Sequence, residues 1–119
     1  MEQGAAFLMR RWQSRPGRMA LVAPTLGELC GPVHGTVELP HRMVWQPVAL
    51  RRFDLDDPYQ RCRAYEIVLR EAVRFEELRS LLAGALLRWV WPDLYLPPGV
   101  RRAWEDHHPE LAAPGTAAA

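Results

Sequence analysis

The most regular pattern of apolar and polar positions lies in the second half of the chain. After residue 57, apolar residues recur at the three- and four-residue spacing of one helix face, at Cys62, Tyr65, Val68, Leu69 and Ala72. The run Asp56-Asp57-Pro58 precedes them. It is a typical helix start, because Asp accepts hydrogen bonds from free N–H groups and Pro fits the first helical position. The pattern predicts a helix over residues 57–73.

A second and longer apolar stripe predicts a helix over residues 75–91. Its members are Leu78, Leu81, Leu82, Ala85, Leu86 and Trp89. Pro92 ends this helix, because proline cannot continue the hydrogen-bond ladder. A joint at residues 73–75 would fold the two helices into an antiparallel pair. Pro98 opens a short third helix, and Pro109 closes it.

The first half of the chain shows strand-like alternation instead. Residues 34–39 and 42–46 each alternate apolar and polar side chains, with Pro40-His41 as a turn between them. This predicts a two-stranded β-ribbon at residues 34–46. The expected fold is therefore mainly α: an antiparallel helix pair, a short C-terminal helix and a small N-terminal ribbon. We expect one domain over residues 25–112 and a disordered tail over 113–119.

Residues 1–24 differ from the rest in charge. They contain four basic residues and one acidic residue, and Gly and Pro interrupt them. We expect a flexible segment; a short helix over residues 5–13 is the alternative. Because arginine binds phosphates and Trp12 could stack on bases, this segment is a candidate for nucleic-acid binding. The candidate residues are Arg10, Arg11, Arg15 and Arg18.

The composition fits a single domain of modest core size. The chain has 119 residues, 49% of them hydrophobic, and a net charge of +1. No apolar run approaches the ~20 residues that cross a bilayer, and the first residues lack a signal-peptide pattern. We therefore expect a cytoplasmic protein with reduced thiols and no membrane contact. All 15 basic residues are arginines, which suit carboxylates, phosphates and aromatic faces.

Patterns typical of catalysis or metal binding are missing from the sequence. There is no Cys-x-x-Cys, no His pair at helical spacing and no glycine-rich phosphate loop. Cys62 falls on the apolar stripe, so it is expected in the core, and Cys30 in a loop. Asp54, Asp56 and Asp57 are explained by helix capping more simply than by catalysis. We therefore expect no enzyme, no cofactor, no metal and no catalytic residue.

The stretch from residue 89 to residue 104 is rich in Trp, Tyr, Pro and Arg. These are usual anchors of protein interfaces, apart from Pro. Two interpretations remain open: exposed rings that bind a partner, or Trp91 and Trp104 wedging the last helix onto the helix pair. On the first interpretation the candidate partner-binding residues are Trp91, Asp93, Tyr95, Arg101, Arg102 and Trp104.

Three runs of the sequence carry a resemblance. They are Arg-Phe-Asp-Leu-Asp-Asp-Pro (52–58), Tyr-Glu-Ile-Val-Leu-Arg-Glu-Ala (65–72) and Trp-Pro-Asp-Leu-Tyr-Leu-Pro-Pro-Gly-Val-Arg-Arg-Ala-Trp-Glu (91–105). The chain resembles, over residues 35–111, small actinobacterial proteins associated with abortive-infection-type nucleotidyltransferase toxins. The resemblance implies an antitoxin-like helical module that binds the toxin and neutralises it. The alternative is a DNA-binding transcriptional regulator that uses the Arg-rich N-terminal segment.

Overall fold

The computed structural model describes the backbone of residues 10–15 and 18–112 and the side chains of residues 20–112. The described chain is mainly helical with small antiparallel sheets, which confirms the expected fold class in its coarse form. Its α-helices are α1 (Pro58–Glu71), α2 (Phe75–Leu81), α3 (Gly84–Val90) and α4 (Pro98–His107). The predicted tail at residues 113–119 lies outside the described residues.

An antiparallel hairpin comes first in the described chain. Strand β1 (Arg10–Arg15) pairs with β2 (Arg18–Val22), with an irregularity in register between Gln13 and Arg15. The alternative of a short helix over residues 5–13 is therefore wrong for residues 10–13, and residues 5–9 lie outside the described part. The end of β2 and Ala23 are buried in the core. Backbone that enters a core needs hydrogen-bond partners, and strand pairing supplies them.

The second ribbon uses a different partner strand from the predicted one. Strand β3 (Thr36–Glu38) pairs with β4 (Arg52–Asp54), whereas residues 42–46 form turns and bends. The prediction of a second strand at 42–46 is therefore wrong. Arg51 stabilises the β3–β4 pairing. Its carbonyl accepts the N–H of Leu39 (2.9 Å), and its guanidinium donates to the carbonyls of Leu39 and Gln46. The residues between the strands become a closed loop.

Helix α1 begins where its sequence predicts. The Asp57 side chain accepts the N–H of Gln60 at 3.0 Å, and Pro58 occupies the first turn. Every residue from 64 to 69 is buried. Because six consecutive helical residues point in all directions, α1 is covered on all sides and forms the centre of the molecule.

The single helix predicted over residues 75–91 is broken into α2 and α3. Leu82 and Ala83 are extended between them. Segment 29–31 pairs with this break: Gly31 N–H donates to the Leu82 carbonyl (2.7 Å), and Gly84 N–H donates to the Leu29 carbonyl (3.1 Å). The Tyr65 hydroxyl accepts the Ala83 N–H at 2.9 Å. These tertiary hydrogen bonds replace the helical ones, so the backbone stays satisfied without a continuous helix.

Helix α4 closes the core from the C-terminal side. It packs on the β1–β2 hairpin and contributes Val100, Ala103 and Trp104 to the buried cluster. The Trp104 ring lies 6.5 Å from the Trp91 ring, centroid to centroid. This confirms the predicted short C-terminal helix. It also places Trp91 and Trp104 in the core that joins α4 to the rest of the chain.

Candidate protein-interaction groove

Two of the predicted partner-binding residues are not on the surface. Trp91 is 1% exposed and Trp104 0% exposed. Trp91 Nε1 donates to the Glu105 carboxylate at 2.9 Å, so even its polar atom is engaged within the chain. Partner contact through these rings would require the core to open. Their prediction as surface anchors is therefore corrected, and the packing interpretation describes them.

Arg101 and Arg102 lie on α4 with different surroundings. The Arg101 guanidinium stacks on the Trp91 ring (5.1 Å to the centroid), donates to the Leu94 carbonyl and pairs with Glu105 at 3.5 Å. Arg101 therefore holds the connector after α3 (residues 91–97) against α4. Arg102 is exposed. Neither arginine lines the groove described next.

Asp93 and Tyr95 do line a groove, between the start of α1 and the connector that follows α3. The groove has two adjoining compartments of about 370 and 490 Å³. Pro58, Cys62 and Asp93 line both compartments. Tyr95 forms a wall of the larger compartment and is 86% exposed. The structure thus unites two of the predicted residues at one concave surface.

Two further aromatic residues line the groove. Neither was predicted as a partner-binding residue. Tyr59, in the first turn of α1, is 72% exposed, and Trp89, near the end of α3, is 59% exposed. Trp89 was predicted on the core stripe of a continuous helix. The break at residues 82–83 changes the direction of the helical segment, so the stripe before the break does not predict the buried face after it. The sequence signals for this cluster are weak. Tyr59 directly follows the Asp57-Pro58 helix start, and Trp89 belongs to the aromatic-rich stretch that begins at residue 89.

Arg61 supports the Trp89 side of the groove. Its guanidinium lies over the Trp89 ring at 5.0 Å from the centroid, and its Nη1 donates to the Leu55 carbonyl at 3.1 Å. A cation over an aromatic face is attracted by the ring's negative face. This contact holds the exposed indole in one orientation, which lowers the entropy cost of binding a partner there.

Cys62 lies on the floor of both compartments and is partly buried. Burial raises the pKa of the Cys62 thiol, and the carboxylates of Asp93 and Glu66 raise it further. The reactive form of cysteine is the thiolate, which these surroundings disfavour. Cys62 therefore contributes packing surface to the groove and lacks the electropositive setting of an activated nucleophile.

Glu66 is the buried polar group of the groove. Its Oε2 accepts the N–H of Tyr95 at 2.8 Å, and its Oε1 lies 3.6 Å from Arg63 Nη1. The hydrogen bond ties the connector to α1. Because a carboxylate bond to a backbone N–H is charge-assisted, it holds the Tyr95 backbone beside α1.

The predicted nucleic-acid-binding arginines fall on the β1–β2 hairpin. Arg10, Arg11 and Arg15 belong to β1 and Arg18 to β2, with Arg15 and Arg18 directly paired. Their side chains lie outside the described part of the structure. The hairpin brings all four positions onto one two-stranded ribbon.

The acidic cluster near α1 serves the local fold. Asp57 caps α1, and the Asp54 carboxylate accepts the N–H of Asp56 at 2.9 Å. Asp56 accepts the Gly35 N–H and bonds to His34 Nδ1 at 3.1 Å. Hydrogen bonds from His34 and Gly35 lower the pKa of Asp56. Among the described side chains, no three His, Cys, Asp or Glu residues come together as a metal site.

The comparisons give no relative on which to base an interpretation of the groove. No protein-family model, curated protein or solved structure matches this chain. In residues 10–15 and 18–112, no helix is both long and apolar enough to cross a membrane.

Proposed function

We propose that this protein is an interaction module that binds another protein through the groove at the start of α1. One observation carries the proposal: Tyr59, Trp89 and Tyr95 are each more than half exposed and line one concave surface. Tyr, Trp and Arg dominate the binding energy of protein interfaces, because they combine large apolar area with polar tips.

The proposed partner is a nucleotidyltransferase toxin, which the bound protein would neutralise. This part of the proposal comes from the resemblance of residues 35–111 to small proteins associated with such toxins. The groove fits the role, because its two compartments offer aromatic surface to a protruding segment of an enzyme. An antitoxin-like module would act by covering the toxin's active site or by holding the toxin in an inactive form.

The test is co-expression with an abortive-infection-type nucleotidyltransferase toxin, with cell growth and co-purification as readouts. The variants Tyr59→Ala, Trp89→Ala and Tyr95→Ala should each weaken binding by about 30-fold, the size expected for an interface hot spot of ~2 kcal/mol. Trp45→Ala is the matched control. Trp45 is also more than half exposed, but it lies in the loop between β3 and β4 and does not line the groove.

Two outcomes would contradict the proposal. Failure to rescue growth or to form a complex would reject the toxin as partner. Binding that tolerates all three groove substitutions but is lost in Trp45→Ala would reject the groove and place the interface on the β3–β4 loop.

A second candidate function is DNA binding through the hairpin. The observation that favours it is the two-stranded antiparallel ribbon that contains Arg10, Arg11, Arg15 and Arg18 in its backbone. A two-stranded β-ribbon fits the major groove of DNA.

The test is an electrophoretic mobility-shift assay with the protein's own promoter fragment, in which binding should show strong salt dependence. Replacing the four arginines with alanine should reduce the salt slope by about one for each lost phosphate contact. Unchanged affinity would contradict this function.

A further inference from the structure

Two carboxylates at the larger compartment of the groove have unused acceptor capacity. Glu66 is nine-tenths buried, yet its Oε1 has only Arg63 Nη1 at 3.6 Å and, among the described residues, no hydrogen bond. Asp93 forms no hydrogen bond or ion pair with the described residues, and it lines the same compartment. Both side chains therefore present acceptor oxygens to this compartment, and a cationic donor from outside can form charge-assisted hydrogen bonds with them.

Tyrosine rings line the same compartment. Tyr59 and Tyr95 both line it, and both rings are largely exposed. The faces of aromatic rings carry negative potential and attract cations, arginine most often in proteins. Carboxylate oxygens together with ring faces form a surface suited to a planar cation.

We propose that this compartment binds the guanidinium group of an arginine side chain on the partner protein. This inference rests on the proposed function and names what the groove recognises. The guanidinium bonds to Glu66 Oε1 and Asp93 while its plane lies against a tyrosine ring. Arginine fits better than lysine, because its rigid fork of donors can serve two carboxylates and its flat face can stack.

An anionic segment fits the same compartment less well. Among the described residues, Arg63 is the cation that lines this compartment, and it already pairs with Glu66. An anion that captured Arg63 would leave the buried Glu66 carboxylate without its counter-charge. A cation from a partner adds a counter-charge to Glu66 and removes none.

The test is an NMR titration of the full chain with N-acetyl-arginine N-methylamide. The matched probes are the norvaline analogue, which keeps the aliphatic stem without the charge, and the glutamate analogue, which carries the opposite charge. We expect the arginine probe to shift the amide signals of Tyr59 and Tyr95 and to bind at least tenfold more tightly than either control probe. Glu66→Gln and Asp93→Asn should each weaken its binding three- to tenfold. Asp106→Asn, an exposed acid on α4, should change nothing.

Three outcomes would overturn the inference: equal binding of the norvaline probe, preferred binding of the glutamate probe, or unchanged affinity in both Glu66→Gln and Asp93→Asn. Since Glu66 also holds Tyr95, Asp93→Asn tests the charge at an exposed position that does not support the fold.

Partner binding separates the two proposals. Loss of the partner in Tyr95→Ala but not in Glu66→Gln or Asp93→Asn rejects only the arginine site. Carboxylate-dependent binding of the arginine probe, with partner binding intact in Tyr95→Ala, rejects only the proposed function.

Discussion

His108 lies at the end of α4, where its imidazole is buried against β2. Its Nε2 is 2.7 Å from the Ala23 carbonyl, so the neutral ring with a proton on Nε2 satisfies that oxygen. His108 is only 4% exposed although it follows directly after the last residue of α4. The reason is tertiary, since α4 packs on the hairpin and carries His108 into the core.

We expect stability to depend on His108 protonation. Burial lowers the pKa of His108 below its ordinary value of 6.5, and the neighbouring His107 lowers it too. The unfolded chain therefore binds more protons than the folded chain below pH 6.5, so the free energy of unfolding falls as the pH falls through this range. Urea unfolding at pH 7.5, 6.5 and 5.5 should show a smaller decline in His108→Gln than in His107→Gln. Equal declines in the two variants would contradict the assignment.

Glu77 is a second residue with several simultaneous contacts. Its Oε1 accepts the N–H groups of Val73 (2.9 Å) and Arg74 (3.2 Å), and its Oε2 pairs with the guanidinium groups of Arg42 and Arg74. It thus caps the start of α2 and joins that start to the β3–β4 loop.

Glu77→Ala should lower the free energy of unfolding by about 2 kcal/mol, because it leaves two N–H groups without their acceptor. Glu76→Ala is the control. Its side chain is exposed and, within the described part of the chain, pairs with Arg79 on the surface, so the expected loss is below about 0.5 kcal/mol. Chemical denaturation of both variants measures the difference. Equal losses would mean that the cap contributes nothing.

At the scale of elements, the break between α2 and α3 shapes the molecule. Leu26 lies close to Gly84 at the start of α3, so close that a Cβ on Gly84 would overlap the Leu26 carbonyl oxygen. The residues around Gly84 therefore form a junction between the 3₁₀ turn Leu26–Glu28 and α3. The same break turns Trp89 outwards and creates one wall of the groove.

Gly84→Ala tests this junction. In an uninterrupted helix the change would stabilise the protein by up to about 1 kcal/mol, because alanine favours helix. Here the added methyl group meets backbone, so we expect a loss of about 1–3 kcal/mol. Gly27→Ala is the matched control, since no atom lies within 4 Å of its added Cβ, and it should change stability by less than about 1 kcal/mol. A stabilised Gly84→Ala variant would contradict the junction.

At the scale of the whole molecule, core and binding surface share the same aromatic-rich stretch but not the same residues. Trp91 and Trp104 lie in the core in contact with each other, whereas Trp89 and Tyr95 remain exposed. Substitutions only a few residues apart should therefore have unlike effects on folding and binding.

Trp104→Ala should lower the free energy of unfolding by about 3–5 kcal/mol, because it empties a fully buried indole site. Tyr95→Ala should cost less than about 0.5 kcal/mol, because the side chain is almost wholly exposed. Thermal unfolding followed by circular dichroism compares the two. Similar losses of stability would contradict the separation of core from groove.

Only a small part of the groove was predicted from the sequence. Asp93 and Tyr95 belong to the connector that composition singled out, and both line the groove. Tyr59 and Trp89 were missed, because their exposure depends on what the surrounding helices cover. The predicted set also mixed buried with exposed rings, since composition cannot separate Trp91 from Trp89.

Local signals determined where α1 and α4 begin and where α3 and α4 end, each to within about two residues. Asp57-Pro58, Pro92, Pro98 and Pro109 act within one helical turn, through capping bonds and missing N–H groups, so a reader of the sequence can place them. Only the tertiary structure decided the break at residues 82–83, the β3–β4 pairing and the burial of His108. Each depends on hydrogen bonds or packing between residues distant in sequence, such as Tyr65 with Ala83, and no local pattern encodes them.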